Sequence, residues 1–143
     1  MATAMIDEAW ETYAEAESAG IRSVYLSHLD SLIETCLHAG QDERLVWVEK
    51  LARMVELGAL DFPIRMPLFR LVLFPTLLAG VHAGTPNHAR WLACFAQLLY
   101  KSPECREQLP LAEQTETGLP RAALRANPDD SEARARLIFH LER

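Results

Sequence analysis

The chain has 143 residues, half of them hydrophobic, which predicts one folded domain rather than a disordered segment. Its formal net charge of −6 argues against a nucleic-acid-binding protein, because such a protein needs a basic surface to displace counterions. The three cysteines are odd in number and widely spaced, which indicates a reducing, cytoplasmic location rather than a disulfide framework. The N-terminal segment Met1–Glu8 has neither the basic nor the apolar region of a signal peptide.

Three amphipathic helices are predicted before the middle of the chain, because apolar side chains recur there at spacings of three and four. In the first, Ile6, Trp10, Tyr13 and Ala14 follow this spacing, and the five acidic residues of the segment lie at other positions. Gly20 provides a stop signal for it, and Asp42 is a suitable N-cap for the third helix. The helices are expected over residues 3–19, 23–38 and 43–57.

The most apolar stretch is Phe62–Gly84, whose middle has Arg70 as its only charge. Pro67 suits a first helical turn and Pro75 disfavours a helix interior. The apolar run after Arg70 is about a dozen residues, whereas a membrane span needs about 20. The stretch therefore predicts a buried central helix, about 66–83, that is broken or kinked at Pro75.

Further helices follow, and no alternating strand pattern of useful length occurs. The predicted class is all-α, with antiparallel helix pairs forming an irregular bundle or short α-solenoid around the central helix, in a single domain, 1–143. Thr85-Pro86 and Ser102-Pro103 are start signals for two of these helices. The expected helices span 86–100, 103–109, 119–126 and 131–143, and residues 110–118 are expected to form an internal loop.

Residues 119–141 contain the sequence Leu-Arg-Ala-Asn-Pro-Asp-Asp-Ser-Glu-Ala, from Leu124 to Ala133. It resembles the junction between two tetratricopeptide helical hairpins, in which an Asn/Asp-Pro turn separates an apolar helix from one that opens with Glu-Ala. The resemblance implies stacked helical hairpins and protein binding. The 34-residue period of that family does not recur upstream. The pattern stops within an apolar helix, which leaves open whether this is the N-terminal part of a longer helical protein.

Motifs with a defined chemistry are missing from the sequence. No zinc-type spacing, nucleophile elbow or phosphate-binding loop occurs, so we predict no catalytic residue, metal site or cofactor. Cys36 could pair with His28 or His38 only if the tertiary structure brought them together. Glu34 and His38 lie four positions apart on one helix face. A carboxylate at this spacing can influence the charge of a histidine near neutral pH, but such residues more commonly form a simple surface pair.

The predicted function is a protein–protein interaction module without catalytic activity, in one form an acidic inhibitor or immunity-type protein that covers a basic partner. The acidic first helix, with Trp10, Glu11 and Glu15, would be its binding surface. The alternative is a small-ligand-binding protein or enzyme with a pocket at Arg70, His82 and His88. A homo-oligomer that buries C-terminal apolar residues is a third hypothesis. We expect neither nucleic acid nor a membrane as partner.

Overall fold

The computed structural model describes residues 3–109 and positions 121, 124, 128–130, 134 and 135. These residues contain helices and turns and no strand, which confirms the predicted all-α class. The predicted loop at 110–118 lies outside the described residues, as does most of 119–143. The chain divides into two compact units, Met1–Leu73 and Phe74–Arg143, and each is described by itself.

The first unit contains three long helices whose predicted positions are confirmed to within two residues. The connection between α1 and α2 is a tight turn, in which Gly20 has a φ of 77°, a conformation that glycine adopts without strain. A short α4 and one π-helical turn complete the unit. The bounds are α1 Thr3–Ala19, α2 Arg22–His38, α3 Gln41–Glu56, α4 Met66–Leu68, and the π turn Phe69–Leu73.

The start of α3 differs from the expectation. Gly40, not Asp42, is the N-cap residue, and its amide donates a hydrogen bond to Glu43 Oε2 at 3.2 Å. Asp42 lies within the first turn, where a carboxylate still interacts favourably with the helix dipole. The Glu43 carboxylate therefore satisfies the Gly40 amide, while the N-cap residue itself provides no side-chain hydrogen bond to the first turn.

The core of the first unit forms where α1 packs along α2 and α3 contacts α1. Most apolar positions with helical spacing are buried, as expected. Leu37 and Val46 are exceptions, since they lie at the edges of their apolar faces and are 46% and 56% exposed. The buried residues include Ile6, Tyr13, Leu29, Leu32, Ile33, Cys36, Trp47, Val48, Leu51 and Ala52.

An ionic network joins α1 to the segment before α4. Arg65 donates two hydrogen bonds to the Glu17 carboxylate, at 2.9 and 3.0 Å, and Tyr13 donates a third through its hydroxyl. The Glu17 side chain is 3% exposed, and the Arg65 guanidinium also lies over the Tyr25 ring at 4.8 Å. The Arg65 guanidinium and the Tyr13 hydroxyl lower the pKa of Glu17 more than burial raises it.

The apolar stretch is helical from Met66 to Ala83, as predicted, but its regular α-helical pattern is interrupted before Pro75 and not at the proline itself. The interruption is the π turn at 69–73, just ahead of Pro75. Pro75 lacks an amide proton and its ring crowds the preceding turn, and a wider turn relieves that crowding. This helix is also long and apolar enough to cross a membrane, a property that buried helices of soluble proteins share.

The second unit contains shorter helices than the sequence indicated. The predicted helix over 86–100 is in fact two helices that begin later, after Asn87, whose φ of 76° is left-handed. Phe95 separates them with a non-helical φ and ψ, and its side chain is buried. The bounds are α5 Phe74–Ala83, α6 His88–Cys94, α7 Ala96–Tyr100 and α8 Pro103–Arg106.

A histidine occupies the space next to a glycine where α5 packs on α6. His88 is 2% exposed, and its ring lies 5.8 Å from that of Trp91. A Cβ atom added to Gly80 would come within 1.5 Å of His88 Nδ1 and 2.4 Å of its Cγ. Only glycine at position 80 therefore lets the imidazole pack against the α5 backbone.

Gly80→Ala is expected to lower the free energy of unfolding by about 1–3 kcal/mol, because the His88 ring must move within a packed core. The direction of the change is informative, because replacing glycine by alanine in a helix interior otherwise stabilises the helix by about 1 kcal/mol. Gly40→Ala is the control, because the nearest atom to its added Cβ is 3.6 Å away. Urea denaturation measures both changes. A Gly80→Ala variant as stable as the wild type would contradict the close packing.

The second unit also contains a buried ion pair. Arg90 Nη1 lies 2.6 Å from Asp130 Oδ2, and the two side chains are 10% and 2% exposed. The same guanidinium nitrogen donates to Asn87 Oδ1 at 2.6 Å, and the guanidinium lies 5.6 Å from the Trp91 ring centre. This pair ties the turn at 128–130 to α6.

Candidate functional site

Two adjoining clefts lie on the surface of the first unit, along α1 and α2. The larger has a volume of about 440 Å³ and the smaller about 280 Å³. They share Met5, Ser31 and Thr35 as lining residues, and we call the two clefts together the α1–α2 groove. Its lining residues are Met5, Ile6, Glu8, Ala9, Thr12, His28, Ser31, Glu34, Thr35, His38, Ala39, Gly40 and Glu43.

The groove exists because small side chains border the packed seam between the two helices. On α1, Ala9 and Thr12 lie four and seven positions after Met5 and so share its side of the helix. On α2, Ser31 and Thr35 are four positions apart and also share one side. Neither pair has the volume to fill the space beside the buried seam. Small residues at spacings of three and four are the sequence pattern that indicates this groove. The apolar spacing that predicts the helices contains no information about it.

The hydroxyl groups in the groove bond to their own helices. Thr12 donates to the Glu8 carbonyl at 3.1 Å, and Thr35 donates to the Ser31 carbonyl at 2.8 Å. Ser31 donates in the same way to the Ser27 carbonyl at 3.3 Å. A hydroxyl that has used its proton keeps its oxygen lone pairs. The groove therefore offers acceptors, which suit a ligand rich in donors.

His38 and Cys36 do not form the catalytic pair that the sequence left open. His38 Nδ1 lies 2.8 Å from the backbone carbonyl oxygen of Glu34, which only accepts, so this nitrogen donates its proton to the α2 backbone. Cys36 is fully buried, and burial raises the pKa of its thiol to about 12. A thiol with that pKa is protonated at neutral pH and is a poor nucleophile.

Negative charge is concentrated on the helices that form the groove. Residues 1–61 contain 12 of the 20 acidic residues and 4 of the 14 basic ones, a formal charge of −8. Glu8, Glu11 and Glu15 are exposed on one side of α1, a surface that we call the acidic ridge. Glu8 belongs to both the acidic ridge and the groove. A basic partner would meet an attractive field over this whole surface.

The other residues that the sequence predicted for a site are Trp10, His88, Arg70 and His82. Trp10 and His88 pack in two different apolar clusters. Trp10 is half-buried in an aromatic cluster with Tyr13, Trp47 and Phe62, at ring-centre distances between 5.6 and 5.9 Å. It thus packs within the first unit. His88 is buried against Gly80 in the second unit.

Arg70 and His82 are both exposed, and neither lines the α1–α2 groove. The residues that do line the larger cleft lie on α1, α2 and the start of α3. Among the residues that the structure describes, no group of three His, Cys, Asp or Glu side chains is arranged to hold a metal ion.

Comparisons of the chain with protein families, curated proteins and solved structures find no match. The functional argument therefore depends on the geometry and charge of the groove and the acidic ridge.

Proposed function

We propose that this protein is a non-catalytic binding module that engages a basic protein partner through the acidic ridge and the α1–α2 groove. The observation that carries the proposal is the coincidence of the groove with the concentrated negative charge of residues 1–61. An acidic inhibitor that covers a basic protein, as immunity-type proteins do, is the specific form that we favour. Electrostatic attraction of this kind speeds association and selects partners by charge.

A triple reversal of the acidic ridge, Glu8→Lys, Glu11→Lys and Glu15→Lys, is expected to weaken partner binding by about 10- to 100-fold. The estimate assumes that each reversed charge costs about 0.5–1 kcal/mol at an exposed position. The tagged protein is used to capture partners from its native cells, and recovery is measured by quantitative mass spectrometry. Binding by the wild type should also weaken as salt is raised.

The control reverses three exposed carboxylates outside the groove, Asp30→Lys, Asp61→Lys and Glu107→Lys, and so produces the same net charge. It should retain the captured partner. Equal loss in both triple variants would mean that net charge, not the acidic ridge, controls binding. Capture of no basic protein by the wild type would contradict the proposal.

Small-ligand binding is a second candidate, supported by the volume of the larger cleft. About 440 Å³ lies within the range of 300–1,000 Å³ that is typical of ligand pockets. The candidate site for this function is the groove, and the pocket at Arg70, His82 and His88 stays a prediction. A metabolite that raises the melting temperature of the wild type, together with no captured protein, would favour this function over the first.

A further inference from the structure

We propose that the α1–α2 groove accepts one α-helix of the partner, and that this helix is basic and amphipathic. The inference rests on the proposed function and adds the conformation and the chemistry of the bound segment. It follows from the shape of the groove, from the groups that line it and from the charges at its edges.

The shape suits a helix. On α2 the groove extends from His28 to His38, which is ten residues and, at 1.5 Å per residue, about 15 Å. That length matches almost three turns of a docked helix, with anchors at positions i, i+4 and i+7. An extended peptide would bind less tightly, because it could not form backbone hydrogen bonds with the groove. Both walls are helices whose backbone groups bond within the helix, and they offer no strand edge.

The apolar residues that line the groove give an apolar anchor a place to bind. Met5 is 68% exposed, and the fully buried Ile6 and the half-buried Ala9 lie beside it. A thioether side chain adapts to partners of different shape, which is why methionine is common at such surfaces. Aliphatic side chains of the partner helix would cover Met5, while the small Ser31 and Thr35 let its backbone come close.

The carboxylates at the edges of the groove favour positively charged side chains on the partner helix. Glu8 lies on one wall, and Glu34 and Glu43 lie towards the end at the start of α3. Lysine or arginine side chains flanking the apolar anchors would meet these carboxylates and the hydroxyl oxygens between them. The same surface of a second copy of this chain is disfavoured as the occupant, because residues 1–61 have a formal charge of −8 and would add like charge.

The test uses three synthetic peptides of about 14 residues, a length that a docked helix needs for three to four turns. One is an amphipathic helix of leucine anchors flanked by lysines. The second has the same composition in a scrambled order without an apolar face, and the third has glutamate in place of lysine. Fluorescence anisotropy measures the dissociation constant, and backbone amide chemical shifts map the contact surface.

The lysine helix is expected to bind at least tenfold more tightly than either of the other peptides, with shifts centred on Met5, Thr12 and Ser31. Ser31→Arg should weaken its binding at least tenfold, because the new side chain fills the groove and repels the peptide. Ser18→Arg is the matched control, since Ser18 is exposed on α1 outside both clefts. Circular dichroism melting verifies that both variants fold.

Other results would overturn the inference in distinguishable ways. If the scrambled basic peptide binds equally well and the acidic-ridge variant weakens both, the electrostatic function holds but the docked helix does not. If the wild type dimerises and Ser31→Arg abolishes the dimer, the occupant is a second copy. If no basic peptide binds and no basic partner is captured, the proposed function fails together with the inference.

Discussion

Asp130→Ala is expected to lower the free energy of unfolding by about 3–5 kcal/mol, the usual effect of removing one member of a buried ion pair. The Arg90 guanidinium, which is about nine-tenths buried, would lose the carboxylate that lies 2.6 Å from its Nη1 atom. Asn87 and the Trp91 ring also lie beside this guanidinium, and both are neutral. Because a domain is stable by only about 5–15 kcal/mol, the loss should be plain in urea denaturation.

Two companion variants separate the charge effect from a general loss of packing. Glu107→Ala removes an exposed carboxylate from the same unit and should change stability by less than about 0.5 kcal/mol. Arg90→Met in the Asp130→Ala background should recover part of the loss, since it removes a buried charge that has lost the Asp130 carboxylate and keeps most of the side-chain volume. A typical mutation lowers the free energy of unfolding by about 1 kcal/mol. If Asp130→Ala lowered it by less than about 0.5 kcal/mol, the result would contradict the buried pair.

Arg65→Ala should cost about 3 kcal/mol, towards the lower end of the range for buried pairs, because the Arg65 side chain is one-third exposed. The substitution removes both hydrogen bonds to Glu17 and leaves a carboxylate that is 3% exposed. Arg22→Ala is the control, since Arg22 is an exposed arginine at the start of α2. It should have little effect on the urea midpoint.

The contribution of this network should also depend on pH. The pKa of Glu17 in the folded protein lies below its ordinary value of 4.5, so the unfolded chain binds the proton more tightly. The stabilisation is therefore complete above pH 4.5 and is lost as the pH falls through the folded-state pKa. The difference in unfolding free energy between the wild type and Arg65→Ala should shrink between pH 7 and about pH 3. Glu17→Gln should remove this pH dependence, and a difference that stays constant across that interval would contradict the assigned role of Glu17.

The structure shows why the sequence predicted some features of the fold and missed others. The bounds of α1 to α3 follow from local rules, since apolar spacing and a glycine stop act within a few residues. The split of the helix at Phe95 does not follow from such rules, because leucine and alanine around it favour a continuous helix. Burial of the Phe95 side chain, a tertiary effect, accompanies its non-helical backbone.

The same distinction applies to the candidate site. The acidic ridge could be predicted, because charged residues at spacings of three and four share one side of any helix. The groove could not, because it depends on which small residues lie next to the seam after two helices have packed. Trp10 illustrates the difference, since its helix position was predicted correctly while its neighbours Trp47 and Phe62 come from distant parts of the chain.

The sequence by itself thus determined the helical class, the first three helices and the position of the negative charge. Only the tertiary structure decided the partners of the buried charges, which join Glu17 to Arg65 across 48 positions and Arg90 to Asp130 across 40. The physical reason is one of range. Backbone hydrogen bonds in a helix link residues four apart, whereas the rotation and crossing of packed helices bring distant side chains together.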